Sequence, residues 1–241
     1  MRRVAILALT LRLLPAADLK PETAAAFDRY VKPIEAVDEH DFLWLDRHPK
    51  EKSTVWLYQS VITPRKRDNA TAPDGLIQDW LGTTFLSDVK LEKVRDVVLD
   101  FANYKVRFKQ QISESKLEKR DGDHFDASLR LHKRQVQNVV LDANFSAQYT
   151  LLEPKRAIVI CRSTRIVPQG EERGYLWRLN LYWRLEEADN GVYIEVEVVS
   201  LSSQPGMLDR GRLLNGFVQK FPHEFTEGII EGLQQAFPYR R

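Results

Sequence analysis

Residues 175–200, YLWRLNLYWRLEEADNGVYIEVEVVS, decide the fold, because two strands and the turn between them can be read from this stretch alone. Apolar and polar residues alternate along its first half, as they do in a strand with one dry and one wet face. Asn190-Gly191 then interrupts the alternation. Both residues tolerate positive φ and suit the two central positions of a type I′ turn. The stretch therefore predicts an antiparallel β-hairpin.

This turn also predicts the register of the hairpin, with Asp189 opposite Val192. The apolar face of the first strand carries Tyr175, Trp177, Leu179, Leu181, Trp183 and Leu185. The predicted cross-strand pairs are Leu185 with Val196, Trp183 with Val198 and Arg184 with Glu197. All apolar pairs fall on one face, so the hairpin presents a dry face to a core and a polar face to the other side.

Further strands and helices flank the hairpin. Period-two alternation or β-branched and aromatic enrichment predicts strands at residues 54–63, 76–86, 112–117 and beyond, 124–132, 139–149 and 156–166. Helical periodicity predicts helices at residues 21–48, 91–108 and 212–237. The last helix, with a kink or interruption near Pro222, carries on one face Leu214, Phe217, Val218, Phe221, Phe225, Ile229 and Leu233. Antiparallel strands followed by a long amphipathic helix indicate an α+β fold in which that helix covers the sheet.

Two segments carry a resemblance to a known superfamily. Residues 91–104, LEKVRDVVLDFANY, resemble the helix-to-bend segment of the START-like (SRPBCC) helix-grip superfamily, and residues 112–117, ISESKL, resemble the strand that follows it. The superfamily includes polyketide cyclase-like and lipid-transfer members, and the resemblance covers about residues 75–237. It implies a curved antiparallel sheet wrapped around a long C-terminal helix, with a cavity between them that accepts an apolar small molecule.

Three regions are expected along the chain: a signal peptide at residues 1–17, an extension of helix, strand and loop at 18–74, and the helix-grip domain at 75–241. The first begins with Met1-Arg2-Arg3, continues with apolar residues and ends at Ala16-Ala17, in the order of a secretory signal. An exposed N-terminal helix or a misassigned start is the alternative. We expect export to the periplasm or the medium if the signal is real, and a cytoplasmic protein otherwise.

Composition limits the classes of partner. With 36 Lys and Arg against 34 Asp and Glu, the net charge of the 241 residues is +2, which gives no global attraction to nucleic acid or to an anionic membrane. Basic residues cluster at 64–67 and 130–134, where a solvated basic face is the simplest interpretation. No nucleic acid is expected, because the tryptophans of 175–200 point away from the arginines there. The same clusters suit transient contact with anionic lipid headgroups.

No catalytic, metal or cofactor apparatus is predicted. The chain has no G-x-S-x-G elbow, no C-x-x-C and no phosphate-binding loop. His124 and His132 share one face of a strand but lie about 27 Å apart at the usual rise per residue, too far to share a metal. The single cysteine, Cys161, lies in an apolar strand and is interpreted as a buried thiol.

The function predicted from these patterns is non-catalytic binding or transport of an apolar, lipid-like small molecule. The predicted lining residues are Phe125, Leu129, Phe145, Tyr149, Trp177, Trp183, Phe217, Phe221 and Phe225. Two alternatives stay open. A cyclase- or hydrolase-like enzyme would use Tyr182, Arg178 or Asp79 in the same cavity, and an interaction module would have a filled core. Gly216, Gly228 and Gly232 in the last helix indicate either close packing or room for a guest.

Overall fold

The computed structural model describes residues 19–36, 41–67, 70–133, 139–169, 175–204 and 212–238. The predicted signal peptide at 1–17 lies outside these residues. The α-helices are α1 (Pro21–Glu35), α2 (Pro49–Trp56), α3 (Leu91–Val98), α4 (Tyr104–Arg107) and α5 (Arg212–Ala236), with 3₁₀ turns at Trp44–Arg47 and Phe101–Asn103. The strands are β1 (Val61–Pro64), β2 (Thr71–Ala72), β3 (Gly75–Ser87), β4 (Ile112–Asp121), β5 (His124–Lys133), β6 (Val139–Glu153), β7 (Arg156–Pro168), β8 (Leu176–Ala188) and β9 (Gly191–Ser203).

All nine strands join one curved antiparallel sheet in the order β1-β3-β9-β8-β7-β6-β5-β4, with β2 also paired to β3. Helix α5 packs mainly on β3 and β9, and it also contacts α4. We call the face of the sheet that α5 covers the inner face, and the opposite face the outer face. The predicted α+β fold, with a curved antiparallel sheet around a long C-terminal helix, is confirmed. Pro222 lies inside α5 without ending it.

The β8–β9 hairpin forms, but its register differs by two residues from the predicted one. The central turn residues are Asp189 and Asn190, at φ of 52° and 59°, and Ala188 pairs with Gly191. A Cβ atom on Gly191 would lie 2.3 Å from the carbonyl oxygen of Leu86. Gly191 is therefore a strand residue that lets a neighbouring backbone approach closely, and it is not a turn residue.

The corrected pairs of the hairpin are Leu185 with Ile194, Trp183 with Val196 and Arg184 with Glu195. A shift of two residues keeps every side chain on its predicted face, because side chains alternate with a period of two. The inner face of the hairpin is therefore apolar, as predicted.

Trp177 is an exception to the predicted faces. The pairing of β8 with β9 slips between Leu176 and Arg178, so Trp177 is an extra residue in a β-bulge. Leu176 and Leu179 belong to the inner core, whereas Trp177 packs in a separate cluster with residues of α1. The prediction that Trp177 shares a face with Trp183 is wrong, because one inserted residue reverses the alternation.

Only the last residues of the strand predicted at 54–63 form a strand, and its first residues complete a helix. Helix α2 begins at Pro49, which suits the first helical position, and ends at Trp56, while the strand is confined to Val61–Pro64. The β-branched and aromatic residues that indicated a strand are used differently, since Val55 is buried in a cluster with Phe85 and Tyr193. Packing on the sheet here outweighs local β propensity.

Helix α1 and residues 42–55 cover the outer face of β3, β9 and β8. Residues of α1, including Phe27, Tyr30 and Ile34, pack on Val199 and Leu201. Residues 42–55 form a second apolar cluster with Phe85 and Tyr193. These strands are therefore buried on both faces, and every residue of β9 is buried.

Candidate functional site

The inner face brings together eight of the nine predicted lining residues. One continuous core cluster between the sheet and α5 contains Phe125, Leu129, Phe145, Tyr149, Trp183, Phe217, Phe221 and Phe225. The ninth, Trp177, lies on the outer face and cannot line the same space. The lining residues of β5, β6 and β8 lie at odd-numbered positions that point inward, so the alternation in the sequence predicted this grouping directly.

Helix α5 contributes a continuous row of aromatic rings. Phe217, Phe221 and Phe225 follow one another at intervals of four residues, and their ring centroids are 4.8 Å and 5.3 Å apart. Tyr175 meets Phe217 edge to face at 5.6 Å. Side chains four residues apart on a helix lie on the same face, so α5 presents this row to the sheet as one aromatic surface.

A cleft of about 760 Å³ opens beside α5. One wall consists of the turn before β4 and the end of β5, with Gln110, Gln111 and His132. The other wall is α5 itself, through Phe221, His223, Glu224, Phe225, Glu227, Gly228 and Glu231. Phe221 and Phe225 also belong to the inner aromatic cluster, so the cleft joins that cluster to a polar rim. Its volume is in the range of small-molecule sites.

The structure decides between the two interpretations of the glycines in α5 for which it gives surroundings. A Cβ atom on Gly228 would lie 1.7 Å from the side-chain nitrogen of Gln111, and one on Gly232 would lie 2.4 Å from the ring of Phe108. Both glycines therefore permit close packing of α5 on the segment around α4.

Within the described ranges, no group of three or more His, Cys, Asp or Glu side chains could hold a metal ion. Instead, the Nε2 atom of His124 lies 3.1 Å from the carboxylate of Asp126 on the same strand. Cys161 is buried, as predicted, and burial raises the pKa of its thiol to about 12. None of the helices in the described part of the chain has the length and apolar character needed to cross a bilayer.

Asp79 and Tyr182, two of the residues that the alternative enzyme function would use in the cavity, lie on the outer face. Asp79 on β3 accepts a 2.8 Å hydrogen bond from the hydroxyl of Tyr30 on α1. Tyr182 on β8 accepts a 2.8 Å hydrogen bond from the side-chain amide of Asn180. Arg178, the third residue, donates to the backbone carbonyl of Trp177. The contacts of Asp79 and Tyr182 place both side chains across the sheet from the inner cluster.

The outer face also buries three carboxyl groups. Asp79, Glu195 and Glu197 are only 4%, 1% and 3% exposed. Arg67 forms ion pairs with both Asp79 and Glu197. Burial, reinforced by the neighbouring charge of Glu197, raises the pKa of Asp79 to about 8, although Arg67 opposes the shift.

Glu195 attaches the N-terminal segment to the sheet. Its two carboxylate oxygens accept hydrogen bonds from the backbone N–H groups of Trp44 and Leu45, each at 3.0 Å. Burial raises the pKa of Glu195 to about 7, while these two hydrogen bonds act in the opposite direction. The carboxyl group therefore serves as an anchor for the 3₁₀ turn that begins at Trp44.

A second cavity, of about 380 Å³, lies on the outer face between this segment and the strands. We call it the outer-face pocket. It is lined by Pro33, Ile34, Ala36, Asp41, Phe42, Leu43, Trp44, Arg47, His48, Arg65, Arg67, Leu81, Arg184, Glu195 and Glu197. Four arginines and three acidic residues thus meet in a partly apolar cavity.

No pattern in the sequence indicated this pocket. Residues 64–67 suggested a solvated basic loop, yet the Arg67 side chain is only 22% exposed and pairs with buried carboxylates. Glu195 and Glu197 alternate with valines, which indicates their face but not that α1 and residues 41–48 cover it. The long-range ion pair between Arg67 and Glu197 of β9 cannot be inferred from either segment alone.

Comparison with known proteins supports the fold. No protein-family model matches the chain, and no curated protein matches its sequence significantly. Among solved structures, a STAR-related lipid transfer protein from Xanthomonas axonopodis (fragment 25–204) is 15% identical with a TM-score of 0.52, over 74% of this chain and 99% of that one. The di-domain ARO/CYC BexL from the BE-7585A biosynthetic pathway is 14% identical with a TM-score of 0.50, over 85% of this chain and 63% of that one.

These similarities, together with the sheet order and the position of α5, define the fold. The chain has a helix-grip fold, as the resemblance of residues 91–104 and 112–117 implied. At these levels of identity the comparison shows the fold alone.

Proposed function

We propose that this protein binds an apolar, lipid-like small molecule between the inner face of the sheet and α5, without a covalent step. The observation that carries the proposal is the cleft beside α5, whose floor is formed by Phe221 and Phe225. Both rings continue into the inner aromatic cluster. An apolar molecule entering there would exchange contact with water for contact with aromatic rings, which favours binding by about 25 cal/mol per Å² buried.

The polar rim of the cleft favours an amphipathic ligand. Gln110, Gln111 and His132 on one wall, and His223 and three glutamates on the other, surround the opening. A polar end group could remain hydrated at this rim while the apolar part contacts the phenylalanines. Ligand sites of this kind combine apolar walls with a few polar groups that orient the guest. A role in transfer to or from a membrane stays a prediction.

The first test is native mass spectrometry of the protein purified from its own source, followed by extraction under denaturing conditions to identify released molecules. A copurifying apolar molecule would support the proposal and give its chemical class. Protein that is empty and also fails to bind a fluorescent fatty acid would favour the filled-core alternative.

A matched pair of variants locates the binding. Phe221→Leu alters the floor of the cleft, whereas Phe27→Leu makes the same change in the buried cluster on the outer face. We expect Phe221→Leu to weaken binding of a fluorescent fatty acid severalfold and Phe27→Leu to leave it unchanged. Equal loss in both variants, or none in either, would argue against binding beside α5.

A further inference from the structure

We propose that the outer-face pocket is a second ligand site, which binds the phosphate or carboxylate group of a small organic molecule through Arg65 and Arg184. This site lies across the sheet from the proposed apolar site. Its volume of about 380 Å³ is larger than a single oxyanion requires and falls in the range of small-molecule sites. The pocket therefore has room for a carbon skeleton as well as the charged group.

Arg65 is the first of the two arginines whose guanidinium N–H groups are available to a ligand in the outer-face pocket. Its guanidinium lies over the ring of Trp44, with its central carbon 5.6 Å from the ring centroid. Among the described residues, its side chain makes no hydrogen bond or ion pair, and the only hydrogen bond of Arg65 is from its backbone N–H to the carbonyl of Asp79. The stacking on Trp44 limits the orientations of the guanidinium, so its donors are held ready at the pocket wall.

Arg184 is the second cation. Its Nη2 atom donates a 2.7 Å hydrogen bond to the backbone carbonyl of Ile34, which fixes the side chain against the end of α1. Its Nη1 atom lies 3.8 Å from the carboxylate of Glu197, beyond hydrogen-bond distance. Arg184 is thus anchored at one nitrogen while N–H groups on the rest of its guanidinium can face a ligand.

The acidic residues of the pocket already have donors of their own. Glu195 is bonded to the backbone of the 3₁₀ turn, Glu197 pairs with Arg67, and Asp41 pairs with Arg47. Burial also raises the pKa of Asp79 behind Arg67, which reduces the negative charge of that group at neutral pH. Among the described residues, the guanidinium of the pocket that has no ion pair is therefore that of Arg65, while Arg184 has only the long 3.8 Å pair with Glu197, which Arg67 already holds more closely.

A guanidinium presents planar, paired N–H donors that match the oxygens of a carboxylate or phosphate. A cationic ligand would instead be repelled by the positive charges of the two arginines. Apolar side chains of Pro33, Ile34, Phe42 and Leu81 complete the wall and can contact a carbon skeleton. The combination favours an organic acid or phosphate ester over a purely apolar guest.

The test is isothermal titration calorimetry with glycerol 3-phosphate and with inorganic phosphate, compared with chloride at equal ionic strength. A parallel arm uses cosedimentation with phosphatidylcholine vesicles that contain or lack phosphatidic acid. We expect saturable binding of glycerol 3-phosphate. Binding to the phosphatidic acid vesicles alone would assign the oxyanion to a lipid headgroup, and binding to no probe would overturn the proposal.

Two substitutions in one loop distinguish binding at a specific site from nonspecific electrostatic attraction to a basic loop. Arg65→Gln removes a guanidinium that lines the pocket, and Lys66→Gln removes an exposed charge at the next position, outside it. We expect Arg65→Gln to weaken the affinity at least tenfold and Lys66→Gln to change it less than twofold. Equal affinities in the two variants would overturn the proposal. Should Arg65→Gln fold poorly, the indole N–H resonance of Trp44 in the unmodified protein must still shift during the titration.

Discussion

Glu195 on β9 accepts a 3.0 Å hydrogen bond from the backbone N–H of Leu45, a residue 150 positions earlier in the chain. The second carboxylate oxygen accepts the N–H of Trp44. A buried carboxylate between two N–H donors joins the N-terminal segment to the middle of the sheet, and its loss leaves both donors unpaired.

We expect Glu195→Gln to reduce the free energy of unfolding by about 2 kcal/mol, because the amide has one acceptor where the carboxylate has two. Urea denaturation measures this loss, and limited proteolysis should cut residues 41–48 faster in the variant. Glu231→Gln, at an exposed position of α5, is the control and should change neither quantity. An equally small effect of both substitutions would show that Glu195 does not anchor the segment.

The free energy of unfolding should fall as the pH rises, because folding raises the pKa values of Asp79 and Glu195. Their pKa values rise from 3.8 to about 8 and from 4.5 to about 7, so the folded protein binds more protons than the unfolded chain within those windows. Both contributions are fully present below about pH 4 and are lost toward pH 8.

Asp79→Asn removes one of the two titrating groups and can still accept the hydrogen bond from Tyr30. Between about pH 5 and pH 8 we expect the variant to lose roughly 2 to 4 kcal/mol less stability than the unmodified protein. Urea unfolding at several pH values measures the difference, with the exposed Asp121→Asn as control. Parallel curves of unfolding free energy against pH for Asp79→Asn and the unmodified protein would contradict the assignment of a raised pKa to Asp79.

Gly191→Ala should destabilise the fold by about 1 to 3 kcal/mol, because the added methyl group would meet a backbone oxygen of β3 at 2.3 Å and rigid backbone cannot move aside cheaply. Gly122→Ala is the comparison, since nothing lies within 4 Å there and only its φ of +59° opposes a side chain. In thermal unfolding, Gly191→Ala should have a lower melting temperature than Gly122→Ala. The reverse order would mean that the turn conformation matters more than the close approach of β3.

Cys161 should be unreactive in the folded protein. Its thiol is buried and has a pKa of about 12, and thiolate is the form that reacts with disulfide reagents. We expect no labelling by Ellman's reagent under native conditions and one equivalent after unfolding in guanidinium. Rapid labelling of the native protein would show that β7 is accessible to the reagent.

The inner face could be predicted from sequence because its information is local. Alternation placed Phe145 and Trp183 inside, and four-residue spacing placed Phe221 and Phe225 toward them, without any knowledge of the strand order. Trp177 escaped prediction because a β-bulge has no signature in the alternation that it interrupts. The hairpin register escaped because Asp189 and Gly191 both tolerate a turn, and only the contact with β3 distinguishes them.

The outer-face pocket could not be predicted because its parts are distant in sequence. Alternation assigned Glu197 correctly to the face opposite the inner core, but a polar face in sequence is compatible with water or with a covering segment. The covering helix α1 was predicted from its periodicity, whereas its contact with the outer face of β9 depends on tertiary packing.

The pairing of β3 with β9 along its whole length has a consequence for synthesis of the protein. Ser87 ends β3, and the last pairing residue of β9 is Ser203, so 116 further residues (203 − 87) must be translated before this edge of β3 is covered. At about 5 to 20 residues per second, that takes roughly 6 to 23 s on the ribosome. Throughout this interval the apolar side chains of α1 lack Val199 and Leu201, against which they pack. During synthesis, the N-terminal third of the chain therefore exposes apolar surface that needs protection from aggregation in the cell.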